Sequence, residues 1–163
     1  MSVKIRKMTN DEFENFCQWS VEDHAKELME ECQMPQEEAM MKAKEEVAQM
    51  LPNGLNTEHN YLMTIVEEDS EESAGFIWTI HEETEGKKQS FVCDFAIWES
   101  KRRKGYATET LRLVEKNAVE AGCQESVLFV ADSNNVARAL YEKCGYQILR
   151  QAGYGKYMIK QLS

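Results

Sequence analysis

The sequence predicts a mixed α/β protein with one central, mostly antiparallel sheet flanked by helices. Three observations carry this expectation. Apolar residues recur at helical spacing over residues 10–51 and again over residues 105–122. Between these stretches lie three strand-like runs separated by polar turns. A strand–helix–strand unit over residues 91–131 then has the form of a parallel crossover. At 163 residues the chain is long enough to bury a proper core, and it reads as one domain spanning residues 1–163.

Taken in order, "VKIRKM" alternates and reads as a short strand. Thr9 or Asn10 can cap the helix that follows, whose first turn is acidic. That helix runs to about Gln33. Pro35 starts another, "PQEEAMMKAKEEVAQML", with Ala39, Ala43, Val47 and Met50 on one face. "PNGLNTEHN" is a loop. "YLMTIVEE", "SAGFIWTIHE" and "QSFVCDFAIW" form an antiparallel meander with turns at "DSEES" and "ETEGKK". "GYATETLRLVEKNAVEAG" is an amphipathic helix, with Ala107, Leu111, Val114, Ala118 and Ala121 aligned and Gly122 as its C-terminal cap. "SVLFVA" is a short apolar strand. "NVARALYEKCG" is a second helix, presenting Ala137, Leu140, Tyr141 and Cys144 and ending at Gly145. "YQILRQ" and "YGKYMIKQL" close the chain as strands. The order is β-α-α-β-β-β-α-β-α-β-β.

Hydrophobic residues make up 42% and charged residues 29% of the chain, ordinary for a globular protein. No apolar run approaches the roughly 18 residues of a membrane span. The N-terminus lacks the apolar core of a secretory signal, so the expected compartment is the cytoplasm. Five cysteines are scattered without metal or redox spacing, and the three histidines add no ligand pattern. No metal is expected, and the thiols read as reduced. The net charge of −10 argues against nucleic acid as a client. The charge is divided unevenly. Residues 1–86 hold 6 Lys/Arg against 21 Asp/Glu, a net of −15, and residues 87–163 hold 13 against 8, a net of +5. Most of the front-half acids are solvated helix faces, yet the asymmetry suggests two different clients.

In this acidic chain, "SKRRKGYAT" sets four cations in a row before a glycine, between a strand and a helix. The first N–H groups of a helix lack internal partners and carry the positive end of its dipole. A turn of this kind binds phosphate, and the small residues Gly105 and Ala107 let a ligand approach the backbone. Residues 101–104 add a positive field, suited to a pyrophosphate with a further phosphate nearby. Neither a Walker loop nor the dinucleotide pattern G-x-G-x-x-G is present.

"FAIWESKRRKGYATETL" resembles the acyl-CoA binding segment of the GNAT (Gcn5-related) N-acetyltransferases, whose signature Q/R-x-x-G-x-G/A falls here on Arg102, Gly105 and Ala107. "NNVARALYEKCGY" is similar to the family's later segment, N-x-x-A-x-x-L-Y-x-x-x-G-F/Y, on Asn134, Ala137, Leu140, Tyr141, Gly145 and Tyr146. The two stand in the family's order, one strand apart. The resemblance covers about residues 59–160, and the helical region 10–51 is where such enzymes vary. Two positions depart from the pattern: Glu99 stands where the family often has proline, and Arg103 where it has a small residue.

The resemblance implies a GNAT-like acyl-CoA N-acyltransferase fold and transfer of an acetyl group from acetyl-CoA to an amine. Arg102, Arg103, Lys104, Gly105, Tyr106, Ala107 and Thr108 would hold the cofactor's phosphates. The strand at Phe95, Ala96 and Ile97 would pair with the pantetheine arm, and an N–H near Ala96 or Ile97 would polarise the thioester oxygen. Such a donor contributes roughly 3 kcal/mol. Tyr141 would donate a proton to the leaving thiolate. Its ordinary pKa of about 10 suits that task, although Tyr141 also reads as a core aromatic. Asn134 and Ala137 would meet the pantetheine arm, and Asn134 alternatively only caps its helix. Asp94 is the first choice of base, with Glu99, Glu67 and His81 behind it and a water chain as another route. Alternation sets Asp94 opposite Phe95, and a bulge would change where it points.

The acceptor is expected to be an amine of a small molecule or peptide, drawn in as a cation by the acidic half. Trp19, Tyr61, Trp78 and Trp98 can line an amine pocket or belong to the core. Rival readings are a non-catalytic acyl-CoA sensor, a protein-interaction module on the Met-rich helix, and an acyl-enzyme on Cys93 or Cys144. A homodimer paired through the last strand is compatible with the enzyme reading.

Overall fold

A computed structural model describes residues 2–162. The element order matches the expected one: β1 (Val3–Lys7), α1 (Asn10–Cys32), α2 (Gln36–Met50), β2 (Asn60–Glu67), β3 (Ser73–Thr84), β4 (Lys87–Ile97), α3 (Tyr106–Glu120), β5 (Glu125–Ala131), α4 (Asn135–Lys143), β6 (Gln147–Ala152) and β7 (Gly155–Gln161). Short 3₁₀ turns occupy Gly54–Asn56, inside the expected loop, and Glu99–Lys101. Seven strands form one sheet in the order β1-β2-β3-β4-β5-β7-β6. All neighbours run antiparallel except β4 and β5, the expected crossover.

Local chemistry explains the helix ends. Thr9 caps α1, accepting from the Glu12 N–H, while the Glu12 carboxylate accepts from the Thr9 N–H. Arg6 grips the same carboxylate at 2.7 and 2.9 Å and holds it down to about 2. Pro35 is the residue before α2 rather than its first, with the extended φ and ψ of a cap. Gly122 and Gly145 follow α3 and α4 at φ 91° and 99°.

Helices cover both faces of the sheet. On one face α3 brings Leu111 and Val114 onto Ile65, Ile77, Val92 and Leu128, and α4 adds Ala137, Tyr141 and Cys144. On the other face Phe16 of α1 packs edge-on against Phe76 and Trp78, with ring centroids 4.8 and 5.8 Å apart. The small residues Ala25, Ala39 and Ala43 with Leu28 let α1 and α2 approach closely. Two expected face positions lie outside the core: Met50 and Ala121 are exposed, at the outer ends of their helices.

Candidate active site

The site begins where the sheet comes apart. β4 and β5 pair in parallel from Gln89↔Glu125 to Val92↔Leu128, and the ladder stops there. One residue later β4 bulges. Trp78 faces Asp94 and Thr79 faces Val92, which leaves Cys93 without a partner on β3. A bulge sets two successive side chains on one face. Cys93 packs into the aromatic layer under α1, and Asp94 reaches the same way to accept from Ser20 Oγ at 2.9 Å.

Beyond the bulge the amide directions alternate. The Trp98 N–H bonds to Ala74 O on β3. Two residues back along the ladder, the Ala96 N–H therefore also points to β3, and those of Phe95 and Ile97 point to the open side. This corrects the expectation at Ala96, whose N–H is spent in the sheet. The Phe95 N–H bonds to Asp94 Oδ1 at 3.1 Å, and Ile97 O accepts from Arg102 Nε at 3.0 Å. Gly75 lets β3 lie this close, since a Cβ there would stand 2.0 Å from Ala96 O.

The separation opens a cleft of about 370 Å³. Phe95, Phe129, Asn134, Ala137 and Tyr141 are among its walls, and Trp78 belongs to its lining. Asp94 and Tyr141 both line this cleft. Burial, reinforced by Asp23, raises the Asp94 carboxyl to about 6, although Ser20 opposes the shift. Burial first, then the Asp94 charge, pushes the Tyr141 phenol up to about 12. Tyr141 thus keeps its proton at any working pH. Asn134 caps α4, with Oδ1 accepting from the Ala137 N–H at 3.1 Å.

The α1–α2 side of the cleft is acidic. Asp23, Glu27 and Glu46 join Asp94 there, and no lysine or arginine is among the lining residues. Glu27 accepts from the Tyr154 phenol, and Glu31 accepts from Ser133 Oγ at 2.7 Å. These bonds tie α1 across to the turn before β7 and the loop before α4. Sequence reasoning missed these acids individually; the charge of the front half was their only signal. Ser20 gave none.

The cationic turn follows β4. Arg103 and Gly105 both adopt left-handed φ, 66° and 77°, and Lys104 between them does not. Alternating handedness of this kind fans successive N–H groups toward one point. The N–H groups of Arg103, Lys104 and Gly105 make no backbone hydrogen bond among the described residues. Gly105 precedes α3 without a side-chain cap, and a Cβ there would meet nothing within 4 Å. The turn is therefore an open cradle of amides. Its left-handed Arg103 also explains why a small residue suits that position.

The four cations divide. Lys101 Nζ lies 2.8 Å from Glu67 and 2.5 Å from Glu72, and Lys104 Nζ lies 3.7 Å from Glu67. The two lysines thus lean to carboxylates, while Arg102 and Arg103 make no ion pair among the described residues. Tyr106 is buried, with Lys104 Nζ 5.9 Å from its ring centroid, and it offers its backbone to the open side of the turn. Ala107 and Thr108 complete the first turn of α3, where Thr108 Oγ1 lies 4.0 Å from Cys144 Sγ.

The remaining candidates lie elsewhere. Glu67 is locked in its ion pairs. His81 is buried beside Tyr61, its pKa lowered mainly by burial, and is not among the cleft residues. Glu99 is exposed in its 3₁₀ turn. Trp19 and Trp98 pack on Phe76 in the core layer. Burial, aided by Asp94, raises the Cys93 thiol to about 12, which works against its use as a nucleophile.

A sheet split beside a bulge, with an uncapped helix after the bulged strand, is the architecture of an acyltransferase of the acetyltransferase (GNAT) family. Residues 13–146 match that family, and the chain belongs to it. It is 31% identical over 146 residues to the N-acetyltransferase YdgE of Bacillus subtilis (strain 168), covering 90% of this chain and 92% of that protein. The crystal structure of the acetyltransferase YycN from Bacillus subtilis superposes with a TM-score of 0.86 at 26% identity, covering 93% of this chain and 96% of that one. The fold is also shared with spermidine N-acetyltransferase from Vibrio cholerae, solved in complex with CoA and spermine, at a TM-score of 0.69 and 15% identity over 98% and 95% of the chains.

Proposed function

We propose that this acetyltransferase moves the acetyl group of acetyl-CoA directly to a primary amine of a small, cationic molecule or peptide, within a ternary complex. One observation carries the reading. The cleft at the β4–β5 split places Asp94 and Tyr141 in one cavity whose lining holds four carboxylates and no Lys or Arg. A cationic amine is the acceptor that such a wall attracts.

The residues divide the work. The amides of residues 103–108, with Arg102 and Arg103, would hold the pyrophosphate and the neighbouring phosphate. With the Phe95 N–H held by Asp94 and Ile97 O by Arg102, the Phe95 carbonyl would pair with a pantetheine amide and the Ile97 N–H would polarise the thioester oxygen. Asn134 and Ala137 flank the same cleft. Asp94, with its carboxyl poised near 6, would take the proton that the attacking amine nitrogen sheds as its bond to the acetyl carbon forms. Full proton transfer from a phenol near 12 to a thiolate with a conjugate acid near 8.5 is uphill by about 5 kcal/mol. Tyr141 would therefore stabilise the leaving sulfur as a hydrogen-bond donor, and the proton that the nitrogen sheds to Asp94 would be the one the sulfur finally carries, which resets Asp94.

The test is calorimetric titration with acetyl-CoA and dephospho-CoA, followed by an amine panel of polyamines, an aminoglycoside and a lysine-bearing peptide. Micromolar binding of acetyl-CoA, weakened by loss of the 3′-phosphate and by combined Arg102→Ala and Arg103→Ala, is expected. Turnover should favour multiply charged amines, and Asp23→Asn with Glu27→Gln should raise their KM. Absence of binding at millimolar ligand would refute the cofactor reading. Turnover of neutral amines as efficient as that of cations would refute the acceptor class.

A further inference from the structure

Glu67 ends β2 and enters the hairpin to β3, where its backbone N–H bonds to Glu72 O and its carbonyl accepts from the Glu71 N–H. Its side chain is only 4% exposed. Four donors converge on the carboxylate: Tyr106 OH at 2.5 Å, Lys101 Nζ at 2.8 Å, Ser70 Oγ at 2.9 Å and Lys104 Nζ at 3.7 Å. Lys101 ends the 3₁₀ turn, Tyr106 opens α3, and Lys104 lies between them. One carboxylate thus grips both ends of the cationic turn and its middle.

The turn needs such a grip. It carries a left-handed arginine, and the N–H groups of residues 103–105 make no backbone hydrogen bond among the described residues. A segment with so few internal bonds samples many conformations unless neighbours fix it. An anion cradle gains affinity when its amides are ordered before the ligand arrives. We infer that Glu67 is a positioning residue, which orders the amide cradle by clamping Lys101, Lys104 and Tyr106 from behind. This rests on the reading of that turn as the CoA phosphate site. It assigns no contact between Glu67 and the ligand.

The opposite role predicts the opposite sign. If Glu67 only neutralised the two lysines, removing its charge would release them toward the phosphates and tighten binding. The experiment is calorimetric titration of CoA and dephospho-CoA into the full chain, comparing wild type, Glu67→Gln and Tyr106→Phe, with acetyl transfer measured alongside. The expected result is CoA affinity weakened about tenfold by Glu67→Gln and less by Tyr106→Phe, in the same direction. Dephospho-CoA should lose by the same factor, because the cradle and not one phosphate is disturbed. The change should fall on the KM for acetyl-CoA rather than on kcat or on the KM for the amine. Unchanged or tighter binding in both variants, even with a lower Tm, would overturn the inference. Should Glu67→Gln not fold, Tyr106→Phe alone carries the same test. Wild-type protein that binds no CoA would refute the site itself, a result distinct from wild-type binding that the variants leave intact.

Discussion

Replacing Asp94 with asparagine sets stability against activity, and the structure gives the size of both. Burial holds the Asp94 carboxyl at about 6, against an ordinary 3.8. Two pKa units correspond to about 3 kcal/mol of penalty on the ionised form. The folded-state value is raised, so between pH ~4 and ~6 the folded protein holds a proton that the unfolded chain has lost. Stability therefore falls as pH rises through this window and is flat above it. Asparagine removes the charge and keeps an oxygen for the Phe95 N–H, while its NH2 donates to Ser20 Oγ, a hydroxyl that can turn to accept. At pH 8 it should stabilise the fold by about 2 kcal/mol, or roughly 4–8 °C in Tm for a chain of this size. The same change should lower kcat/KM by about 10²-fold and abolish the rising limb of the wild-type pH–rate profile near pH 6. Thermal melts at pH 4, 6 and 8 and a pH–rate profile of both proteins measure the two effects. A variant with the same limb and near wild-type rate would refute the base assignment and return that role to water. A variant less stable at pH 8 would refute the account of the buried charge.

Two further expectations follow from the same geometry. Tyr141→Phe should lower kcat by about 10²-fold with little change in acetyl-CoA affinity, read by thiol release under saturating donor; a proportional loss of CoA binding instead would make Tyr141 a packing residue. Arg103→Gly relieves a left-handed arginine at φ 66° but loosens the unfolded chain, so melts should show a net gain of about 0.5 kcal/mol. It should also weaken CoA binding and flatten its salt dependence, as loss of one phosphate-facing cation requires.

The sequence by itself determined the order of elements, because each rests on nearby residues. Thr9 and Glu12 cap α1 three residues apart, Gly122 and Gly145 stop their helices, and strand alternation reads within a few residues. The family motifs were legible for the same reason: residues 102–107 and 134–146 are continuous, and each sits on one turn and one helix start. The amphipathic faces were right at their centres and wrong at Met50 and Ala121, where helix ends outrun the sheet beneath them.

What only the tertiary structure decided depends on partners far apart in the chain. Asp94 meets Ser20 across 74 positions, and Tyr106 meets Glu67 across 39. The sequence held Glu67 in reserve as a base, yet the fold spends it on Lys101 and Tyr106. It set four cations in a row, and the fold ties two of them to carboxylates. It could not choose between the Ala96 and Ile97 amides, because that choice follows from pairing with β3. Nor could it show that Asp23, Glu27 and Glu46 converge on Asp94, since two helices must first cross the open end of the sheet. Local periodicity fixes which residues form an element; only packing between elements fixes which charges share a cavity.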